Sequence, residues 1–117
     1  MTMNFNESIE FKKDFKRLSK KYKSLTDDLR EFCNVVSIVP LGNSKHFNVI
    51  TKTEVLHIVK ARFFCKYLRG SSLRIIYSYF DKEQRIEFIE IYFKGDQTNE
   101  DRDRIKKYLK IIEHNID

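Results

Sequence analysis

Three stretches in the second half of the chain, VLHIVKARFFCKYL, SLRIIYSYF and RIEFIEIYF, are dense in β-branched and aromatic residues. Such residues fit a pleated, half-buried surface, so all three are predicted as strands. Short polar links, Arg69-Gly70-Ser71-Ser72 and Asp81-Lys82-Glu83-Gln84, separate them and suit antiparallel hairpins. Strand side chains alternate between two faces, so residues of equal parity share one. By that rule Lys60, Arg62 and Lys66 share a face of the first segment, and Arg74 lies opposite the apolar set Leu73, Ile75, Tyr77 and Tyr79 of the second. Arg69 and Lys94 stand at the ends of these segments. A small sheet with several cations on one face needs an anionic partner, and phosphate is the obvious one.

At 117 residues the chain, 1–117, reads as one domain large enough for a two-layer core. A 41% hydrophobic content with 14% aromatic residues argues against disorder. The net charge of +6 draws such a domain towards nucleic acid, an acidic membrane surface or an acidic protein, without choosing among them. Cys33 and Cys65 have no C-x-x-C spacing, so reduced core thiols are expected rather than zinc ligands or a disulfide. The start, MTMNFNESIEF, lacks the basic and apolar regions of a signal peptide, and no apolar run reaches the ~18 residues of a membrane span. A cytoplasmic protein with no membrane partner is expected.

Residues 3 to 7 suit a short edge strand. From Ser8, a candidate N-cap, Phe11, Phe15, Leu18 and Tyr22 recur at helical spacing, with Lys12, Lys13, Lys16, Arg17, Lys20, Lys21 and Lys23 opposite. This basic face is ordinarily just solvated; its functional reading puts Lys13, Lys16 and Lys20 on an RNA backbone. Ser24 with Asp27 resembles a capping box opening a second helix with Leu25, Leu29, Phe32 and Val36 inside, ending before Pro40. Residues 40–54 read as a turn followed by a loop or weak strand. A last helix is predicted from about Asn99 to His114, burying Ile105, Tyr108, Leu109 and Ile112, with Glu100, Asp101 and Asp103 at its positive end. The fold class is α+β: an N-terminal α-hairpin on one face of a small, mostly antiparallel sheet, with a C-terminal helix. The other face is expected to lie partly open and to carry the cations.

Several residue types invite bland readings. His46, His57 and His114 are too scattered for a metal site, and no metal or cofactor is expected. His57 is a sheet residue with a minor claim to a catalytic role. Glu87 and Glu90 read first as cross-strand partners for Arg or Lys, with Glu90 a candidate base should it share a face with Arg74. Tyr77, Tyr79 and Phe93 read as core before they read as base-stacking platforms. The absence of a Gly-rich phosphate loop sets nucleotide-dependent enzymes aside.

The order of elements, with FKKDFKRLSKKY in the first helix, KARFFCKYLRG leading into SLRIIYSYF, and IEFIEIYFKGD followed by NEDRDRIKKYL, resembles the RelE/ParE superfamily of toxins from toxin–antitoxin pairs. The resemblance covers nearly the whole chain and implies a RelE-like fold. RelE-like members cleave messenger RNA on the ribosome without metal, by attack of a ribose 2′-hydroxyl on the adjacent phosphate. ParE-like members share the fold and inhibit DNA gyrase. On the first branch the resemblance makes Arg74 the arginine that stabilises the transition state, with Lys66, and behind it Lys60 and Arg62, as cations of the preceding strand. Lys94, with Tyr92 beside it, would serve leaving-group protonation, and Arg69 would hold RNA. The chain departs from the family pattern in having no His after the last strand and an acidic NEDRDR stretch where some relatives carry basic or aromatic residues.

The chemistry asks for these residue types independently. Metal-free phosphodiester cleavage needs a base, an acid and cations for the added charge. Arginine's planar fork grips two phosphate oxygens. A lysine crowded by cations has a lowered pKa, which would fit Lys66 and Lys94 as proton carriers. The expected partners are an acidic antitoxin and messenger RNA on the ribosome, the free protein being a monomer. The alternatives are a ParE-like gyrase inhibitor, or an inactive relative that only binds an antitoxin.

Overall fold

A computed structural model describes residues 2–42 and 44–115. The chain forms β1 (Asn4–Glu7), α1 (Ile9–Lys21), α2 (Leu25–Ile38), β2 (Phe47–Lys52), β3 (His57–Cys65), β4 (Gly70–Phe80), β5 (Arg85–Phe93) and α3 (Arg102–His114). The strands make one sheet in the order β1-β5-β4-β3-β2. β1 pairs parallel with β5 at the edge, and the remaining pairs are antiparallel.

Strand alternation sorts the sheet into two faces. One carries Val59, Ala61, Phe63, Leu73, Ile75, Tyr77 and Phe88 into a core closed by Phe11 and Leu18 of α1 and Leu25, Phe32 and Val36 of α2. Its centre is aromatic: Phe88 packs against Phe5, Phe11, Phe32 and Tyr77 with ring centroids between 5.2 and 6.4 Å. The opposite face carries Ile58, Ile76, Phe80 and Ile89, which pack with Leu56 against Ile105, Tyr108, Leu109 and Ile112. So α3 covers part of the face that the sequence left open. The period-2 pattern locates a second apolar set there, and the amphipathic α3 is what buries it.

The helix signals are met at α1, where Ser8 Oγ accepts the N–H of Phe11 at 3.1 Å. They fail at α2. Ser24 takes helical backbone dihedrals and forms no side-chain cap, so the capping box with Asp27 does not exist. Instead Ser24 Oγ donates to Asp28 at 2.7 Å and accepts the N–H of Tyr67 at 2.9 Å. Asp28 also accepts the N–H of Lys66, 3.3 Å from each oxygen. These bonds pull residues 66 and 67 out of the ladder, so β3 stops at Cys65 and the turn runs over 66–69, ahead of the Arg69–Ser72 link read from the sequence. Arg69 closes it at φ 56, the left-handed region. α3 starts at Arg102, behind an Asp101 side chain that accepts the N–H of Arg104, later than the Asn99 of the sequence reading. The weak segment 40–54 supplies edge strand β2; Asn43 within it lies outside the described residues.

Cys33 and Cys65 are free thiols, the second fully buried. Among the described residues no helix is long and apolar enough to cross a membrane. Phe88 is 1% exposed. Phe88→Ala is expected to cost about 3–5 kcal/mol, the usual range for emptying an aromatic site, measured as a lower midpoint in urea unfolding.

Candidate functional site

Beyond the reach of α3, the same sheet face opens into a cavity of about 240 Å³. Its wall is built from Lys60, Ala61 and Arg62 of β3, Arg74 of β4, Tyr92 of β5 and Lys94 just after β5. Lys45, His46 and Asn48, on and before β2, close one side, and Thr98 another. Among the described residues no carboxylate belongs to this lining.

Backbone register places these side chains. Arg62 stands opposite Arg74 on β4, and Arg74 opposite Tyr92 on β5, so the three form a row across the sheet. Like charges directly opposite one another destabilise a sheet, and the Arg62–Arg74 pair is such a contact. Arg74 is held by donating to the carbonyls of Ser71 and Leu73 at 2.7 and 3.0 Å. Among the described residues no carboxylate pairs with Lys45, Arg62, Arg74 or Lys94 (salt bridges go elsewhere). The N–H of Lys94 donates to Ser72 O at 2.9 Å, which extends the β4–β5 ladder and fixes Lys94 beside Arg74.

Lys60 is the exception, with its ammonium 2.9 Å from Glu100. Burial pulls the lysine pKa down, but Glu100 and the Tyr92 hydroxyl outweigh it and hold Lys60 above the ordinary value. Burial likewise pushes Glu100 up, and Lys60 reverses it, leaving the carboxyl below the ordinary range. Tyr92 is raised by burial, partly offset by Lys60 nearby, and its buried hydroxyl has no hydrogen-bond partner among the described residues. Lys60 is thus a spent cation, and the Tyr92 hydroxyl is buried beside it at the cavity wall.

The structure brings five of the residues singled out from the sequence to one place. Lys60, Arg62, Arg74, Tyr92 and Lys94 converge. Lys66 does not: the turn carries it away from the β3 face, and its ammonium pairs with Glu31 of α2 at 2.9 Å. Glu31 raises its pKa, where crowding by cations was expected to lower it. Arg69 is exposed in the same turn, and Lys13, Lys16 and Lys20 lie on the exposed side of α1, over the opposite face of the sheet. None of these four joins the cavity.

The other candidates resolve as structural. His57 packs beside Tyr79, 6.5 Å between ring centroids, away from Arg74. Glu90 does share the cation face, two residues from Tyr92 and opposite Ile76, which lies two residues from Arg74. Its carboxylate, though, accepts the N–H of Asp101 at 2.9 Å and the amide of Gln97 at 2.8 Å, fixing the loop into α3. Glu87 pairs with Arg85 at 2.7 Å on its own strand and accepts from Tyr108, in place of a cross-strand cation. Tyr77 is core and donates to Pro40 O. Among the described residues no three His, Cys, Asp or Glu side chains are grouped to hold a metal.

The chain matches no family model and no curated protein sequence. In three dimensions it matches a chain of the archaeal RelE–RelB complex from Pyrococcus horikoshii OT3, with a TM-score of 0.61 over 81% of this chain and 98% of that one, at 21% identity. The fold is RelE-like. At that identity the sheet and its helices are shared while few side chains are, so the site has to be argued from its own geometry.

Lys45, His46 and Glu100 were not singled out as site residues from sequence. The first two sit in the aperiodic stretch before β2, and Glu100 read as a helix-dipole residue. The Lys60–Glu100 pair gives a pH test. The Lys60 and Glu100 side chains are 22% and 10% exposed. A carboxyl depressed in the fold adds stability above its unfolded pKa of about 4.3, lost as pH falls through the lower folded value. Glu100→Gln is therefore expected to lower stability by about 2 kcal/mol at pH 7. The deficit should close as pH drops below about 4 in urea titrations; a deficit unchanged at pH 3 would contradict the pairing.

Proposed function

We propose that this chain is a toxin of a toxin–antitoxin pair that cleaves messenger RNA, without a metal ion, by attack of a ribose 2′-hydroxyl on the adjacent phosphate. One observation carries the reading: Arg62, Arg74 and Lys94, three cations without carboxylate partners among the described residues, converge with Tyr92 on one cavity. A like-charged pair in adjacent strands costs stability, and an anion seated between the two offsets that cost. A binding surface that only docks a protein has no need of such convergence.

In this mechanism Arg74 and Arg62 grip the non-bridging oxygens and stabilise the charge added as the 2′-oxygen bonds to phosphorus. Lys94, exposed at the rim, gives a proton to the leaving 5′-oxygen. Tyr92, its hydroxyl buried next to Lys60, shapes the wall behind the phosphate, and Lys60, held by Glu100, supplies fixed positive charge. The products are a 2′,3′-cyclic phosphate and a free 5′-hydroxyl. The ribosome presents the message in this reading, as implied by the resemblance to RelE-like proteins. The partner that silences the chain is an acidic antitoxin covering the cavity, in line with the RelB-bound state of the structural neighbour.

Induced expression of wild type and Arg74→Ala in a bacterial host, with primer extension on an abundant transcript, tests the reading. Wild type is expected to arrest growth with discrete cleavage sites. Arg74→Ala is expected to lose about 10²–10³ in cleavage, the effect of removing one oxyanion donor, with a melting temperature at or above that of wild type, since the like-charged pair with Arg62 is relieved. Arrest with intact messages and damaged DNA would contradict ribonuclease action and point to gyrase.

A further inference from the structure

We infer that the His46 imidazole is the base that takes the proton from the attacking 2′-hydroxyl; this rests on the ribonuclease reading and supplies the group that reading lacks. Attack by a hydroxyl needs a proton acceptor poised near the working pH. The groups on the cavity wall exclude themselves one by one. Arg62 and Arg74 stay charged at any accessible pH. Lys60 is held protonated by Glu100 at 2.9 Å, and burial raises the Tyr92 hydroxyl. The nearest carboxylates, Glu90 and Glu100, are committed to Asp101, Gln97 and Lys60. Imidazole is the side chain most often used as a general base, and among the described residues of the lining His46 alone carries one.

Placement supports the role. His46 sits in the turn before β2, where its carbonyl accepts the N–H of Arg62 at 3.0 Å and its own N–H donates to Ser44 Oγ at 3.2 Å. Its backbone is thereby pinned to the strand that presents Arg62, one residue pair from Arg74. The side chain is exposed, and among the described residues neither ring nitrogen has a hydrogen-bond partner. It stands where the cation cavity meets a neighbouring groove. On the cavity side it faces Lys45, Lys60, Arg62, Arg74, Tyr92 and Lys94. On the groove side it faces Asp28 and Glu31 of α2, both already paired, with Ser24 and with Lys66. The imidazole is therefore unclaimed and adjacent to the proposed phosphate seat.

The step balances within the chain. The 2′-oxygen bonds to phosphorus as its proton passes to the His46 ring. The bond from phosphorus to the 5′-oxygen breaks as that oxygen takes a proton from Lys94. The imidazolium then returns its proton to solvent, and Lys94 regains one.

The test is single-turnover cleavage of a defined message on programmed ribosomes, from pH 5.5 to 8.5, with wild type, His46→Ala and His46→Gln. Wild-type rate should climb about tenfold per pH unit below the imidazole range and then level off, and both variants should be about 10²–10⁴ slower and lose that rise. Imidazole added to His46→Ala should restore rate, while binding of uncleavable 2′-O-methyl RNA stays as in wild type. A variant that keeps the wild-type rate, or keeps the rise with pH, overturns the assignment. If wild type itself leaves the message intact while binding ribosomes, the ribonuclease reading fails, and the base with it.

Discussion

The site depends on the aromatic packing around Phe88. With Phe5, Phe11, Phe32 and Tyr77 against it, this ring anchors β5 and β4 to α1 and α2 and decides which parity of each strand points at the helices. Once Leu73, Ile75 and Tyr77 are committed to that core, Arg74 has only the other face. The same holds on β3, where Val59, Ala61 and Phe63 go inward and Lys60 and Arg62 are turned out. The cation cavity is the complement of the core, written in the same alternation.

The outward face is then divided. Its apolar half, Ile58, Ile76, Phe80 and Ile89, is covered by α3, and its cationic half is left open. Glu90 marks the boundary, holding residues 97–101 through Gln97 and the Asp101 N–H. Glu100 reaches Lys60 from that loop, so one cation is neutralised by the chain itself while Arg62, Arg74 and Lys94 are not. Arg104 secures the far side, donating to Asp14 of α1 at 2.7 Å and to Ile89 O at 3.0 Å past the end of β1. α3 is thus braced to both layers, and the opposed pair Arg62–Arg74 sits on a rigid frame.

Much of this was legible in the sequence, because strand and helix periods report burial directly. The three strand segments, α1 with its Ser8 cap, the edge strand β1 and the outward face of Lys60, Arg62 and Arg74 follow from parity and period, while Tyr92 and Lys94 entered only through the family resemblance. Parity failed at Lys66 because a side-chain network, Ser24 and Asp28 capturing the N–H groups of residues 66 and 67, ends the strand early; no local pattern encodes a contact between residues some forty positions apart. Face assignment failed for α3 because its amphipathic stripe shows that it packs, and not on which side of the sheet. His46 carried no signal at all, since an aperiodic segment has no face until its neighbours are known.

The most direct test of the central claim, that the converged cations are a phosphate seat, is an NMR titration of the labelled protein with a short 2′-O-methyl RNA that cannot be cleaved. Shifts at Arg62, Arg74, Tyr92 and Lys94, fading as salt rises, are the predicted result. Shifts confined to the basic face of α1, at Lys13, Lys16 and Lys20, with the cavity unmoved, would contradict it.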